Sequence, residues 1–171
     1  MAKEMVWIDL EMTGLDIEVE SIIEIATIIT DAELNIIAQG PNLAIKVSDE
    51  LLEGMDEWNT THHTASGLVD RVRNEGVSLR EAIRQTCEFL SENIETGTAP
   101  LCGNSVHNDR VFLAKEMPEV FKYARTYVSP KTKVHLELNN NDPFLVEFGR
   151  GSGSIFYFSS LLDLRWNDLP M

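Results

Sequence analysis

Residues 22–30 read IIEIATIIT, and a stretch this apolar has few stable exposed states. It falls well short of the ~18 apolar residues a membrane-spanning helix needs. Its β-branched content and near-continuous apolarity fit a strand covered on both faces, which requires layers on either side of a sheet. Residues 5–10 (MVWIDL) form a second β-prone segment ahead of it. Residues 34–38 and 43–47 are two shorter candidates separated by Gly40-Pro41, a turn signal. The strands joined by short turns predict an antiparallel meander.

Helical patterns follow. Residues 58–73 are expected to be helical in part. In residues 78–94, Leu79, Ala82, Ile83, Cys87, Leu90 and Ile94 recur at 3–4 spacing, with Ser78 and Glu81 as a capping box. Residues 100–103 are a short strand candidate, and residues 109–116 a helix ended by Pro118. Strands first, then helices alternating with a strand, predict an α/β layer fold with a mixed sheet, an antiparallel meander followed by parallel strands. The 171 residues suit one domain. From residue 128 onward the composition changes: Pro130, the run Asn139-Asn140-Asn141-Asp142-Pro143, and Gly149 through Ser154 are turn and linker chemistry. The expected division is therefore a domain over 1–127 and an atypical, poorly ordered tail over 128–171. The start, MAKEMVWIDL, has no basic and apolar leader pattern, so the expected location is intracellular, with no membrane partner. Cys87 and Cys102 have neither zinc-ligand spacing nor a disulfide framework and are expected to be buried thiols.

The chemistry begins at Asp9-Leu10-Glu11. Residues two apart on a strand project from one face, about 6.6 Å apart, so both carboxylates can reach a shared metal pair. On its own a D-x-E pair is a weak signal that reads first as solvated charges at a strand edge. A third carboxylate, Asp109, follows a short strand near the start of a helix. Three converging carboxylates repel one another by ~4 kcal/mol per pair at 4 Å and an effective dielectric of 20, and hard oxygen donors suit Mg²⁺ or Mn²⁺. The net charge of −14 argues against a long nucleic-acid groove, because phosphate neutralisation dominates such binding. It leaves room for a very short substrate bound through cations.

The segments WIDLEMTGLD, IIEIATIITD, EGMDEWNTTHHTASGL and LCGNSVHNDRVFLAKEMPE resemble the successive signatures of the oligoribonuclease family, over roughly residues 5–121. That family belongs to the DEDD exonucleases, named for four metal-binding carboxylates. The resemblance implies an RNase H-like exonuclease fold and two-metal 3′→5′ hydrolysis of short single-stranded oligoribonucleotides, with two Mg²⁺ or Mn²⁺ ions. It implies that Asp9 and Glu11 are the first-motif ligands and Asp109 the second. Leu15 matches the residue that wedges between terminal bases, Trp58 an aromatic packed near them, and His63 a phosphate-side contact; Asn104 and Ser105 line the same pocket. Taken without the resemblance, Trp58 reads as core, Leu15 as a turn hydrophobe, and His62 and His63 as surface histidines. Glu24, inside the apolar run, reads as a structural hydrogen-bonding residue. Location within the resemblance is cytoplasmic or mitochondrial.

The family's third motif, H-x-A-x-x-D, supplies the general-base histidine and the fourth carboxylate, and it is absent from this sequence. None of His62, His63, His107 and His135 has Asp five residues on; Asp163 and Asp168 have no histidine partner. The departure begins near Ala124. Family dimers reach the neighbouring subunit's substrate through a Tyr-Arg pair; here the sequence is Tyr123-Ala124-Arg125, with Pro130 following, which weakens the expectation of a homodimer. So abrupt a change after a tight match fits an altered frame, alternative exon or truncation. Two readings follow: an exoribonuclease, or an impaired relative that binds oligonucleotide or a partner subunit without cleaving.

Overall fold

A computed structural model describes residues 4–125 and, beyond them, the strand backbone of residues 133–137, 143–150 and 153–158. Two compact units result, Met1–Thr126 and Tyr127–Met171. The first is built on a five-stranded sheet of order β3-β2-β1-β4-β5. Strand β1 (Glu4–Met12) pairs antiparallel with β2 (Ile22–Asp31), and β2 antiparallel with β3 (Ile36–Ala44). Along the chain, β3 is followed by α1 (Asp49–Glu53), α2 (Glu57–Ala65), α3 (Leu68–Glu75) and α4 (Leu79–Asn93). Strand β4 (Ala99–Cys102) then joins β1 in parallel. After α5 (Val106–Glu116) and α6 (Pro118–Phe121), β5 (Ala124–Arg125) joins β4 in parallel. The fold is α/β, with a mixed sheet flanked by helices, as the order of segments predicts.

Alternation along β1 positions the chemistry. Val6, Ile8 and Leu10 are buried on one face, opposite Ile29, Thr27 and Ile25 of β2. Each such aliphatic contributes ~1.5–3 kcal/mol on leaving water. Trp7, Asp9 and Glu11 therefore project from the other face. Trp7 fixes one end of that face by donating its indole N–H to Thr30 Oγ1 at 3.0 Å. Phe112, Leu113, Leu90 and Met117 fill the core from α4, α5 and the loop after α5.

The structure corrects several expectations. Strand β2 is not covered on both faces along its length: Ile23, Ile25 and Ile29 are buried, but Glu24 and Ala26 are half-buried and Ile28 is exposed. Those three share the face of Asp9 and Glu11, which the helices leave open. Gly40-Pro41 is not a turn. It lies within β3, which runs as one strand past it with an irregular register between Ala26 and Ile28 of its partner. Proline removes a ladder donor, which an edge strand with a bulge tolerates. Residues 58–73 are helical in part, as expected, in two helices broken at Gly67, whose φ of 78° is left-handed. Helix α4 has half of its capping box: Ser78 Oγ accepts from Glu81 N–H, but the Glu81 carboxylate accepts from Arg84 and Gln85 instead. Cys87 and Cys102 are free thiols, half-buried rather than fully buried.

In the second unit, β6 (Lys133–Glu137), β7 (Pro143–Arg150) and β8 (Gly153–Phe158) form a three-stranded antiparallel sheet of order β6-β7-β8. Arg150 pairs with Gly153 at the close of the β7–β8 hairpin, where the glycine-rich run had read as linker. The expectation of poor order for 128–171 otherwise falls, with Pro130, Asp163, Asp168 and the His135 side chain, outside the described residues.

Candidate active site

The site assembles on the open face of β1 and β2. Asp109, on the first turns of α5, is 5% exposed, and its Oδ1 accepts the backbone N–H of Leu10 at 2.9 Å. Leu10 lies between Asp9 and Glu11, so this bond joins the two acidic segments across a sequence separation of 99. The local chain makes it reachable. After β4, Gly103 passes so close to β1 that a Cβ would lie 3.0 Å from the Ile8 carbonyl oxygen. Ser105 then takes a left-handed conformation, φ 51°, to turn the chain into α5.

Like charges crowd here, and the carboxyl pKa values register it. Asp109 is pushed up to about 6, first by burial, then by the charges of Asp9 and Glu11; the Leu10 N–H opposes this without overcoming it. Asp9 is raised by burial and by Glu24. Glu11 is raised by burial and by Asp9 and Glu24, against a lowering from His63.

His63 is buried on α2. Its Nε2 lies 3.0 Å from the Met12 carbonyl, which can only accept, so Nε2 carries the proton. Nδ1 then faces Glu11 Oε2 across 3.9 Å. Trp58, on the same helix, is 63% exposed, not core, and stacks on His62 at 3.9 Å between ring centroids. His62 Nδ1 is 2.7 Å from the Trp58 carbonyl oxygen, which pins the stack. Leu15 is 64% exposed at the tip of the loop after β1. That loop is held by Thr13 Oγ1 donating to Glu20 and by Lys115 of α5 donating to the Ile17 carbonyl. Asn104 is exposed and Ser105 half-buried, both at the entrance to α5. The contacts described thus link Asp9, Glu11, Asp109 and His63, and do not extend to Leu15, Trp58, Asn104 or Ser105.

Two participants are missing from the expected set. Glu24 pairs directly across from Glu11 and acts on both first-motif carboxylates. His62 carries the Trp58 ring. The only sequence signal for Glu24 is a charge inside an apolar run, and for His62 the four-residue spacing from Trp58 on a helix.

Among the described residues, no group of three or more His, Cys, Asp or Glu side chains is arranged as a metal-holding cluster. The donors nevertheless fit a divalent cation in kind: they are carboxylate oxygens, partly desolvated and mutually repelling, the condition a hard cation relieves.

A family model described as an exonuclease, of the RNase T type, matches residues 6–150. An oligoribonuclease of Shewanella frigidimarina is 54% identical over 131 residues, 75% of this chain and 72% of that one. The chain belongs to the oligoribonuclease family. It is accordingly classed with the 3′→5′ exoribonucleases, hydrolases of the RNA phosphodiester bond, and with that family's dependence on divalent metal. An Alcanivorax borkumensis oligoribonuclease is 56% identical over 128 residues, 73% of this chain and 71% of that one. When the match extends over 172 residues, to an oligoribonuclease of Shewanella sp. strain MR-4, identity is 42%, covering 93% of this chain and 95% of that one. A lower identity over the longer span is what a divergent C-terminal part of this family member produces. The fold is shared with Escherichia coli exonuclease I, solved with a dT13 oligonucleotide: TM-score 0.56 at 16% identity, over 74% of this chain and 26% of that one. No described helix is long and apolar enough to cross a membrane.

Proposed function

We propose that this chain removes nucleotides from the 3′ end of short single-stranded oligoribonucleotides, using Asp9, Glu11 and Asp109 as the carboxylates that hold divalent cations. The observation that carries the reading is the Leu10 N–H to Asp109 bond, which sets the second-motif carboxylate beside the first-motif pair. Two Mg²⁺ or Mn²⁺ ions are the cations that suit these donors; held by Asp9, Glu11 and Asp109, they would supply a more acidic water and positive charge against the phosphate and the leaving oxygen. The chain's own residues bind and orient. The exposed Trp58 ring, backed by His62, offers a stacking face, worth ~1–3 kcal/mol per base without sequence preference. Leu15 supplies an apolar wedge beside the terminal bases. By the family resemblance His63 stands on the phosphate side of the substrate, with Asn104 and Ser105 in the same pocket. A net charge of −14 favours substrates with few phosphates over long strands. The compartment proposed is the cytoplasm, and the mitochondrial alternative gains no support from the relatives.

One observation favours a second reading: the H-x-A-x-x-D segment is absent from the whole sequence. A chain lacking the general base and one carboxylate could bind oligonucleotide, or a partner subunit, and cleave little. Turnover of a labelled dinucleotide with Mn²⁺ decides. The first reading expects hydrolysis that Asp9→Ala abolishes. Binding without hydrolysis in the unsubstituted chain would overturn it in favour of the second.

A further inference from the structure

Across β1 and β2, Glu11 and Glu24 are directly opposite residues on one sheet face, and Asp9 stands two positions along on that same face. Like charges placed opposite one another destabilise an antiparallel pair. The fold answers this from α3. Arg71 donates Nη1–H to Glu24 Oε1, and its Nη2 lies 2.9 Å from Asn42 Oδ1 on β3. Asn42 pairs with Ala26, itself opposite Asp9, so the guanidinium spans the open face from β2 to β3. The Glu24 side chain is mostly buried and Arg71 is about one-third exposed, which limits solvent screening.

We propose that Arg71 is a positioning residue for the carboxylate site: by binding Glu24 it cancels the charge opposite Glu11 and holds that side chain off the pair, leaving Asp9 and Glu11 free for cations. The inference rests on the carboxylate site proposed above. Glu24 and Arg71 together add no net charge. Removing either one leaves an unbalanced charge of opposite sign beside the site. With Glu24 gone, the freed guanidinium competes with cations for Glu11; with Arg71 gone, an extra carboxylate faces them.

Two measurements on the full chain test this. In EDTA, Arg71→Met should lower the melting temperature by several degrees, and adding Glu11→Gln should recover most of the loss, because the repulsion disappears. A double variant no more stable than Arg71→Met would mean that Arg71 merely tethers α3, and would overturn the proposal. In Mn²⁺ titration calorimetry, a unit charge at this range predicts that Glu24→Gln weakens uptake about fivefold, that Arg71→Met tightens it similarly, and that the double variant returns near the unsubstituted value. Shifts of the same sign in both single variants, or none in either, would also overturn it. If the unsubstituted chain takes up no Mn²⁺, the carboxylate-site reading fails, and the melting experiment in EDTA still judges Arg71.

Discussion

Asp109 concentrates the conflict between stability and function. Its carboxyl is buried, accepts the Leu10 backbone N–H, and has its pKa raised from 3.8 to about 6. A raised carboxyl pKa means that the fold favours the protonated form. The stability this group contributes is fully present below its unfolded pKa near 3.8 and is lost as pH rises through about 6. At neutral pH the metal-free chain therefore carries a penalty of about 2–3 kcal/mol there. Asp109→Asn keeps an oxygen for the Leu10 N–H and removes the charge. Urea unfolding in EDTA should find the variant more stable than the parent near pH 7.5, with the gap closing as pH falls toward about 4. A variant less stable at pH 7.5 would contradict the electrostatic account. The same substitution removes a proposed ligand, so stability and hydrolysis should move in opposite directions.

At the scale of elements, α3 must lie close enough to the sheet for Arg71 to reach Glu24, and Gly76 sets that distance. A Cβ at position 76 would stand 2.3 Å from the Val72 carbonyl oxygen and 3.1 Å from Lys46 N. Just beyond it, Val77 bridges in parallel to Ile45, exchanging backbone bonds with Ala44 and Lys46. Both clashing groups are backbone, so no side chain can swing aside. Gly76→Ala should cost about 2–4 kcal/mol, read as a lower urea midpoint. Gly67→Ala is a useful contrast. Nothing lies within 4 Å of a Cβ there, but φ is 78°, so the cost should be only about 1 kcal/mol, from backbone strain. Equal losses at the two glycines would mean that close packing at position 76 has been overstated.

For the molecule as a whole, the family match and the missing third motif pull in opposite directions. Loss of general acid–base help is typically worth 10²–10⁴-fold in rate. Turnover of a dinucleotide by this chain should therefore fall below that of the Shewanella frigidimarina oligoribonuclease by about 10²-fold or more, measured side by side with Mn²⁺. Comparable turnover would mean that another residue of this chain serves as the base.

Local pattern alone determined that the chain starts with β1 and β2, that α4 begins after Ser78, and that Asp9 and Glu11 share a face. These depend on period-two and period-3.6 spacing and on capping, all of which act between near neighbours. Motif resemblance brought Asp109 into the same set. Only tertiary structure decided that Gly40-Pro41 is absorbed into an edge strand, because a bulge and the Phe89 ring over Gly40 are long-range facts. It likewise decided that one face of β2 stays open, that Trp58 is exposed on His62, and that Glu24 sits opposite Glu11 under Arg71. The physical reason is register. Which charge faces which is fixed when Glu11 and Glu24 are brought opposite one another by strand pairing and Arg71, 47 positions beyond Glu24, reaches across from a helix, and no local propensity encodes that pairing.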